Sequence, residues 1–533
     1  MNEARRGPLR SYHIAVGVLC PILFCVSPAR GQYHTYSEIG PDLLAAEQNY
    51  PDICKRYDLG LSVQGRHIWA VRISDNLPVE EDEPEFKYIS TMHGNEPVGT
   101  EMCLYLVNHL TGEYGSDPQA TTLVDEIDIW IVPLMNPDGH VAGSRYNAHG
   151  VDLNRNFPDV YTSPDNTPAG RQPETAVIMN WSFGQSFTCS ANFHTGALVT
   201  NYPFDNNEYG WDVYTATPDD DLFRWISEEY SQHNLPMWNS STFYHGITNG
   251  AEWYVIYGGM QDWNYRYMGC NDVTVELSRS FQPSASQLPQ LWEDNRQSML
   301  SYMATCLIGV RGIVSDAITA DPLAATIVVA GRDHAVYTDP DVGDYHRMLL
   351  TGAYDLTFTA DGHDPLAVSN VVVSSGDATR LDVALWPIIV TFPNRGETVP
   401  VGVETLITWM GNPEARFQVQ YTPDADSGTW TDIIALTEPG VFSTPWTPTT
   451  EGPHYKVRVR SYDENAGYGP WDESDSTFTV GGPVPAVSDW GLVVMVLLVC
   501  TAGTIVLRRR RPRTAATCVP TSDYADSRKG GPS

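Results

Sequence analysis

His93 and Glu96 stand three residues apart in Met92-His93-Gly94-Asn95-Glu96-Pro97, and a second imidazole, His194, follows far downstream in Ala191-Asn192-Phe193-His194-Thr195-Gly196. Two imidazoles and one carboxylate form a zinc-binding set with three protein ligands, which leaves a fourth position open for water. A structural zinc cluster is closed and built mainly of Cys, so this pattern points to a hydrolytic metal centre. A His-x-x-Glu spacing alone is common in solvated loops; what surrounds it decides.

The surroundings are those of a strand-loop-helix unit. Residues 86–91 read as a strand feeding the motif and residues 97–110 as a helix leaving it, with Pro97 near its first turn. Residues 189–193 and 272–277 read as further short buried strands, ending at His194 and near Glu276. In open α/β sheets ligands bind at the carboxyl ends of strands, so three strand ends are expected to converge on one cleft.

At 533 residues, 42% of them hydrophobic, the chain supplies several cores. A formal net charge of -33 argues against a nucleic-acid-binding surface and for an acidic ectodomain that attracts cationic substrates. Arg5, Arg6 and Arg10 precede an apolar run over 14–26, with small residues around Ala29-Arg30-Gly31, a signal-peptide pattern for residues 1–31. Residues 490–507 are apolar for about the length of a membrane span and are followed by Arg508-Arg509-Arg510-Arg511, which places the tail 508–533 in the cytoplasm. The expected protein is exported to the cell surface or periplasm, and is either membrane-anchored or released by C-terminal processing.

Of nine cysteines, Cys54, Cys103, Cys189, Cys270 and Cys306 fall in the exported part, and neither a disulfide nor a Cys metal ligand is assigned. Residues 32–308 alternate strand-like and helix-like patterns, the mark of an α/β catalytic domain with a mixed central sheet. Residues 309–385 read as a small all-β domain, and 386–480 as a fibronectin type III-like or immunoglobulin-like sandwich. A linker over 481–489 leads to the C-terminal transmembrane segment.

Residues 88–99, Asn136-Pro137-Asp138-Gly139, residues 145–159, 194–205, 248–265 and Thr274-Val275-Glu276-Leu277-Ser278 together closely resemble the zinc metallocarboxypeptidases of the carboxypeptidase N/E subfamily. The resemblance spans 33–308 and continues through 309–385, which resembles the transthyretin-like (carboxypeptidase regulatory-like) domain that follows the catalytic domain there. The C-terminal segment resembles a bacterial sorting signal of the exosortase type, departing from it in the long tail past Arg511 and implying a sorting protease as partner.

The resemblance implies one zinc per catalytic domain, held by His93, Glu96 and His194, with Glu276 as the base and Asp152 orienting a zinc-bound imidazole. An exopeptidase must recognise a free α-carboxylate, a task for the planar guanidinium of Arg155. By resemblance Asn154 and Tyr254 share that carboxylate, Arg145 reaches the carbonyl oxygen where charge develops, and Asp205 and Gln261 line a pocket for a C-terminal Lys or Arg. No pro-segment is expected before Tyr33, so zinc alone should suffice for activity. The implied partners are peptides or proteins with a free C-terminus, and the membrane. Two other readings stand beside this one: an anchored zinc peptidase trimming cell-wall stem peptides, and an inactive peptide-binding protein on the same fold.

Overall fold

The structure, a computed structural model, describes residues 32–464 and 467–482. The expected signal peptide and membrane segment lie outside these, and among the described residues no helix is long and apolar enough to cross a membrane. The chain divides into two compact units, one ending at Pro387 and the other starting at Ile388.

An eight-stranded mixed sheet forms the centre of the first unit. Its strands are β1 (Cys54–Leu61), β2 (His67–Ile73), β3 (Glu85–Ser90), β4 (Asp128–Val132), β5 (Phe187–His194), β6 (Leu198–Tyr202), β7 (Ile247–Asn249) and β8 (Asn271–Leu277). They lie in the order β1-β2-β4-β3-β5-β8-β6-β7. The middle four, β4, β3, β5 and β8, run parallel, whereas β2 and β6 flank them antiparallel. Every residue of these four strands is buried, as expected for parallel strands covered on both faces.

That cover is unequal. On one face, helices Tyr36–Asn49, Val98–Glu113, Pro118–Glu126, Asp220–Ser231 and Leu288–Ala304 contribute Leu43, Met102, Leu123, Ile226 and Met299 to a large apolar core. On the other, Pro173–Ser182 and Met260–Met268 contribute Ile178, Met179, Met260 and Trp263 to a smaller one. β3 stops at Ser90, one residue before the sequence suggests, because Thr91 takes a left-handed φ of 54°. That conformation is costly for a β-branched residue. It turns the chain sharply into the His93 loop, where the Thr91 hydroxyl donates to the Glu96 carbonyl at 3.2 Å.

Two small sheets built from strands between Val310 and Leu385 pack around Val310, Ile327, Leu356 and Phe358 in the same unit. This β domain is tied to the α/β domain through Asp219, whose carboxylate accepts from Arg347 at 2.7 Å and Arg332 at 2.8 Å. The side chains of Asp219 and Arg347 are both completely buried.

The second unit is a β-sandwich of its own. One sheet is built from Ile389–Phe392, Thr405–Met410 and Ser443–Trp446, and the other is centred on Arg416–Thr422 and Gly452–Asp463. They enclose Ile407, Trp409, Phe417, Val457 and Phe478. The unit starts at Ile388 rather than at Trp386 because the Trp386 carbonyl accepts the Asp364 amide and so belongs to the preceding β domain. The five cysteines between Cys54 and Cys306 are free and buried. Burial pushes the Cys54 and Cys270 thiols up to about 12, so neither forms a thiolate near neutral pH.

Candidate active site

Three adjacent parallel strands deliver the groups expected to do chemistry. His93 and Glu96 lie on the loop after β3, His194 is the last residue of β5, and Glu276 stands opposite His194 in the β5–β8 register. The loop is pressed against the helix Pro137–Ala142 so closely that a Cβ at Gly94 would stand 2.0 Å from the Gly139 carbonyl carbon. Glycine is required there because backbone, which cannot swing away, fills the space.

His93 Nδ1, Glu96 and His194 Nδ1 form one buried cluster of donor atoms, all within 4.8 Å of one another. The two Nδ1 atoms are 2.9 Å apart, and each approaches the Glu96 carboxylate, at 3.0 and 3.1 Å. The far side of His93 fixes its tautomer: Nε2 lies 3.0 Å from the Asp152 carboxylate, an acceptor only, so Nε2 carries the hydrogen and Nδ1 presents a lone pair to the cluster. Burial opposes charge on Glu96, yet the imidazoles of His194 and His93 beside it hold its carboxyl well below the usual range. Two imidazole nitrogens and a carboxylate aimed at one buried point suit a divalent zinc ion.

The cleft above this cluster encloses about 210 Å³ and is lined by Arg145, Asn154, Arg155, Asp205, Tyr254 and Glu276, among others. Glu276 is 9% exposed; its burial, reinforced by the nearby Glu96 charge, pushes the carboxyl up to about 8. Arg145 is held by Asp152, its Nε donating to Oδ2 at 2.9 Å, and its Nη1 reaches Glu96 at 3.3 Å. Asp152 also caps the turn Leu153–Arg155 by accepting the Asn154 amide at 3.0 Å. The Asn154 side chain accepts the Met260 amide at 3.0 Å, while Arg155 is exposed on the cleft wall. Tyr254 follows the helix Gly250–Trp253 and is 44% exposed, so it is no core residue.

Asp205 lies at the bottom, 2% exposed. Its Oδ1 accepts from Gln261 at 2.7 Å and from Asn201 at 3.2 Å. A Cβ at Gly250 would stand 2.0 Å from that same oxygen, so the carboxylate is seated against bare backbone. Burial pushes the Asp205 carboxyl well above the usual carboxylate range, against the pull of its amide donors and Arg155.

With this geometry in view, the comparisons with known proteins are direct. The zinc carboxypeptidase profile matches residues 42–298 and the carboxypeptidase regulatory-like domain profile residues 309–386. The chain is 38% identical over 371 residues to carboxypeptidase M of Mus musculus, spanning 66% of this chain and 82% of that one. It is 36% identical over 400 residues to the carboxypeptidase N catalytic chain of Homo sapiens, spanning 68% and 87%. The chain belongs to the zinc carboxypeptidase family. It is also 42% identical over 371 residues to carboxypeptidase D of Anas platyrhynchos, across 66% of this chain and 26% of that one. It therefore spans about a quarter of the length of the carboxypeptidase D relatives.

The zinc carboxypeptidase cleft also holds residues that sequence reasoning missed. The Thr195 amide donates to Glu96 at 3.0 Å while its hydroxyl donates to the Phe281 carbonyl at 2.7 Å, locking a ligand from the neighbouring position. Its adjacency to His194 was the available signal. Asn201, on β6, had none: its role depends on β6 pairing antiparallel with β8. Asp262 accepts the Asp205 amide at 2.9 Å and fixes the pocket base from the helix Met260–Met268.

Proposed function

We propose that this chain is an exported zinc-dependent metallocarboxypeptidase that hydrolyses the C-terminal bond of peptides or proteins and prefers C-terminal Lys or Arg. The observation that carries this reading is the convergence, in one cleft, of a two-His, one-Glu cluster, a buried carboxylate beside it, an Arg-Asn wall and a second buried carboxylate at the base. Its chemistry divides the substrate into three parts.

The free α-carboxylate is bound by Arg155 with Asn154 and Tyr254; the requirement for a charged partner excludes internal bonds and makes the enzyme an exopeptidase. His93, Glu96 and His194 would hold one zinc ion, which when bound supplies Lewis acidity toward the scissile carbonyl and lowers the pKa of water. Arg145, oriented by Asp152, adds a positive charge where the carbonyl oxygen becomes negative. Glu276 takes the proton of the attacking water on a carboxylate oxygen and hands it to the departing amine. Asp205, with Gln261 beside it, receives the cationic end of the terminal side chain.

Export is supported by the Arg-flanked apolar run near the start of the sequence and by the acidic composition, anchoring or processing by a sorting protease by residues 490–511. The deciding assay uses the purified full chain with peptides differing only in the last residue. Release of that residue alone, fastest for Lys and Arg, abolished by a chelator and restored by zinc, is expected. Equal cleavage of C-terminally amidated peptides would remove the exopeptidase reading, and preference for D-residues would move the function to cell-wall stem peptides.

A further inference from the structure

A second group of acidic side chains meets where the α/β domain joins the β domain, both in the first unit. Glu80, Glu85, Asp339, Asp344, Tyr345 and His346 line one cleft there. Asp82, Asp344 and His346 each offer a donor atom within 4.8 Å of the others, and Glu80, Glu85 and Asp128 form a second such set. Asp344 is 5% exposed. Its Oδ2 accepts from His346 Nε2 at 2.9 Å, while its Oδ1 is buried and has no hydrogen-bond partner. Asp82 repeats the arrangement: Oδ2 pairs with Arg380, and Oδ1 is buried and unpartnered. The His346 Nε2 lies 4.0 Å from that second orphan oxygen.

Two buried carboxylate oxygens without donors are costly unless a cation meets them. The protein's own cations leave an excess of negative charge. Arg72 is shared between Asp128 at 2.7 Å and Glu80 at 3.4 Å, and Arg380 between Asp82 and Asp382. Burial and mutual repulsion push Glu80 up to about 6 and raise Asp344 and Glu85 as well.

We propose that the acidic cluster at the edge of this cleft is a binding site for a hard divalent cation of the calcium type, with Asp344 Oδ1 and Asp82 Oδ1 as its buried ligands and Glu80 and Asp339 completing it from the two domains. The donors are carboxylate oxygens in an irregular array, which calcium accepts with six to eight ligands. The one imidazole is spent on orienting Asp344, the outer role a histidine or carboxylate plays beside a metal ligand, so a nitrogen-preferring zinc ion is disfavoured. The cation would clasp residues 80–85 to the strand Asp344–Arg347 and stabilise the junction of the two domains.

The zinc-loaded full chain, freed of calcium by passage over a chelating resin, tests this with Tb³⁺ as the probe, since Tyr337 and Tyr345 line the cleft and can sensitise its emission. Saturable emission displaced by Ca²⁺ is expected, with affinity lowered roughly tenfold or more in Asp344→Asn and in Asp82→Asn. A rise in Tm on adding Ca²⁺ is expected in the parent and not in either variant, with zinc content unchanged in all three. Should Asp344→Asn fail to fold, Asp82→Asn, a change at a partly exposed residue, decides alone. Absence of a Ca²⁺-dependent signal, its survival in the variants that fold, or displacement by Zn²⁺ but not Ca²⁺ would each overturn the proposal.

Discussion

Replacing Asp205 by Asn keeps the shape of the pocket base and removes its charge. Asp205 is buried and both its side-chain amide donors meet Oδ1, so an Asn carbonyl oxygen can keep those bonds while the charge is lost. Removing one partner of a desolvated, hydrogen-bonded charge pair costs about 2–4 kcal/mol, which is roughly 30- to 1000-fold in kcat/KM for peptides ending in Lys or Arg. For peptides ending in Leu or Phe no ion pair is lost, and the change should stay below about 1 kcal/mol. The parent enzyme carries a pH signature as well. Burial raises the Asp205 carboxyl, so the anion that binds a cationic side chain is present above that raised pKa and disappears as pH falls through it. The ratio of basic to apolar turnover should therefore fall on acidification well above the ordinary carboxylate range, and the Asn variant should show no such fall. The assay is kcat/KM on matched peptides from pH 4 to 9. Equal losses on all four termini would make Asp205 a purely structural residue and refute the reasoning.

Glu276→Gln should retain zinc and substrate affinity while kcat falls by about two to four orders of magnitude, measured by metal analysis and steady-state kinetics; near-normal kcat would place the base elsewhere. Asp152→Ala removes the acceptor that fixes the His93 tautomer, and zinc affinity should fall about 10- to 100-fold in competition with a chelating dye. The domain junction should make stability pH-dependent. Arg347 and Arg332 hold Asp219 at about 2 despite its burial, so its contribution, about 2 kcal/mol, is present above the unfolded value near 4 and lost as pH falls through 2. Burial holds His334 neutral down to about 3, so the unfolded chain binds the extra proton below about 6.5 and stability falls from there. Melting curves from pH 8 to 2 should show both phases, and Asp219→Asn should melt lower at neutral pH yet lack the phase below pH 4.

The candidate active site was legible in the sequence because its geometry is mostly local. His93 and Glu96 share one loop, and His194 and Glu276 each lie at or near the end of a short apolar run that reads as a buried strand; strand ends then do the assembling. The selectivity pocket was legible through resemblance alone. Nothing near Pro203-Phe204-Asp205 distinguishes a turn aspartate from a pocket base; that depends on Asn201, Gln261 and Asp262, brought in by sheet order and by a helix more than fifty residues on. The junction between the domains was not legible at all. No spacing or motif marks Asp219, Arg332 and Arg347 as partners; folding brings them together across more than a hundred residues.

The charges of this molecule act on two length scales that the sequence reports together as one number. A net charge of -33 raises the local concentration of cationic peptides, but ions screen it beyond about 8 Å at physiological salt. It cannot tell Lys from Leu at a terminus already in the cleft. That choice needs a carboxylate out of reach of water and held in place, which is what Gly250, Gln261 and Asn201 provide at Asp205. The cleft runs against the sign of the whole: Arg145 and Arg155 line it together with the buried carboxylates. On the proposed function, those guanidiniums attract a peptide's terminal carboxylate against the distant field, and Asp205 then draws a cationic side chain into the pocket.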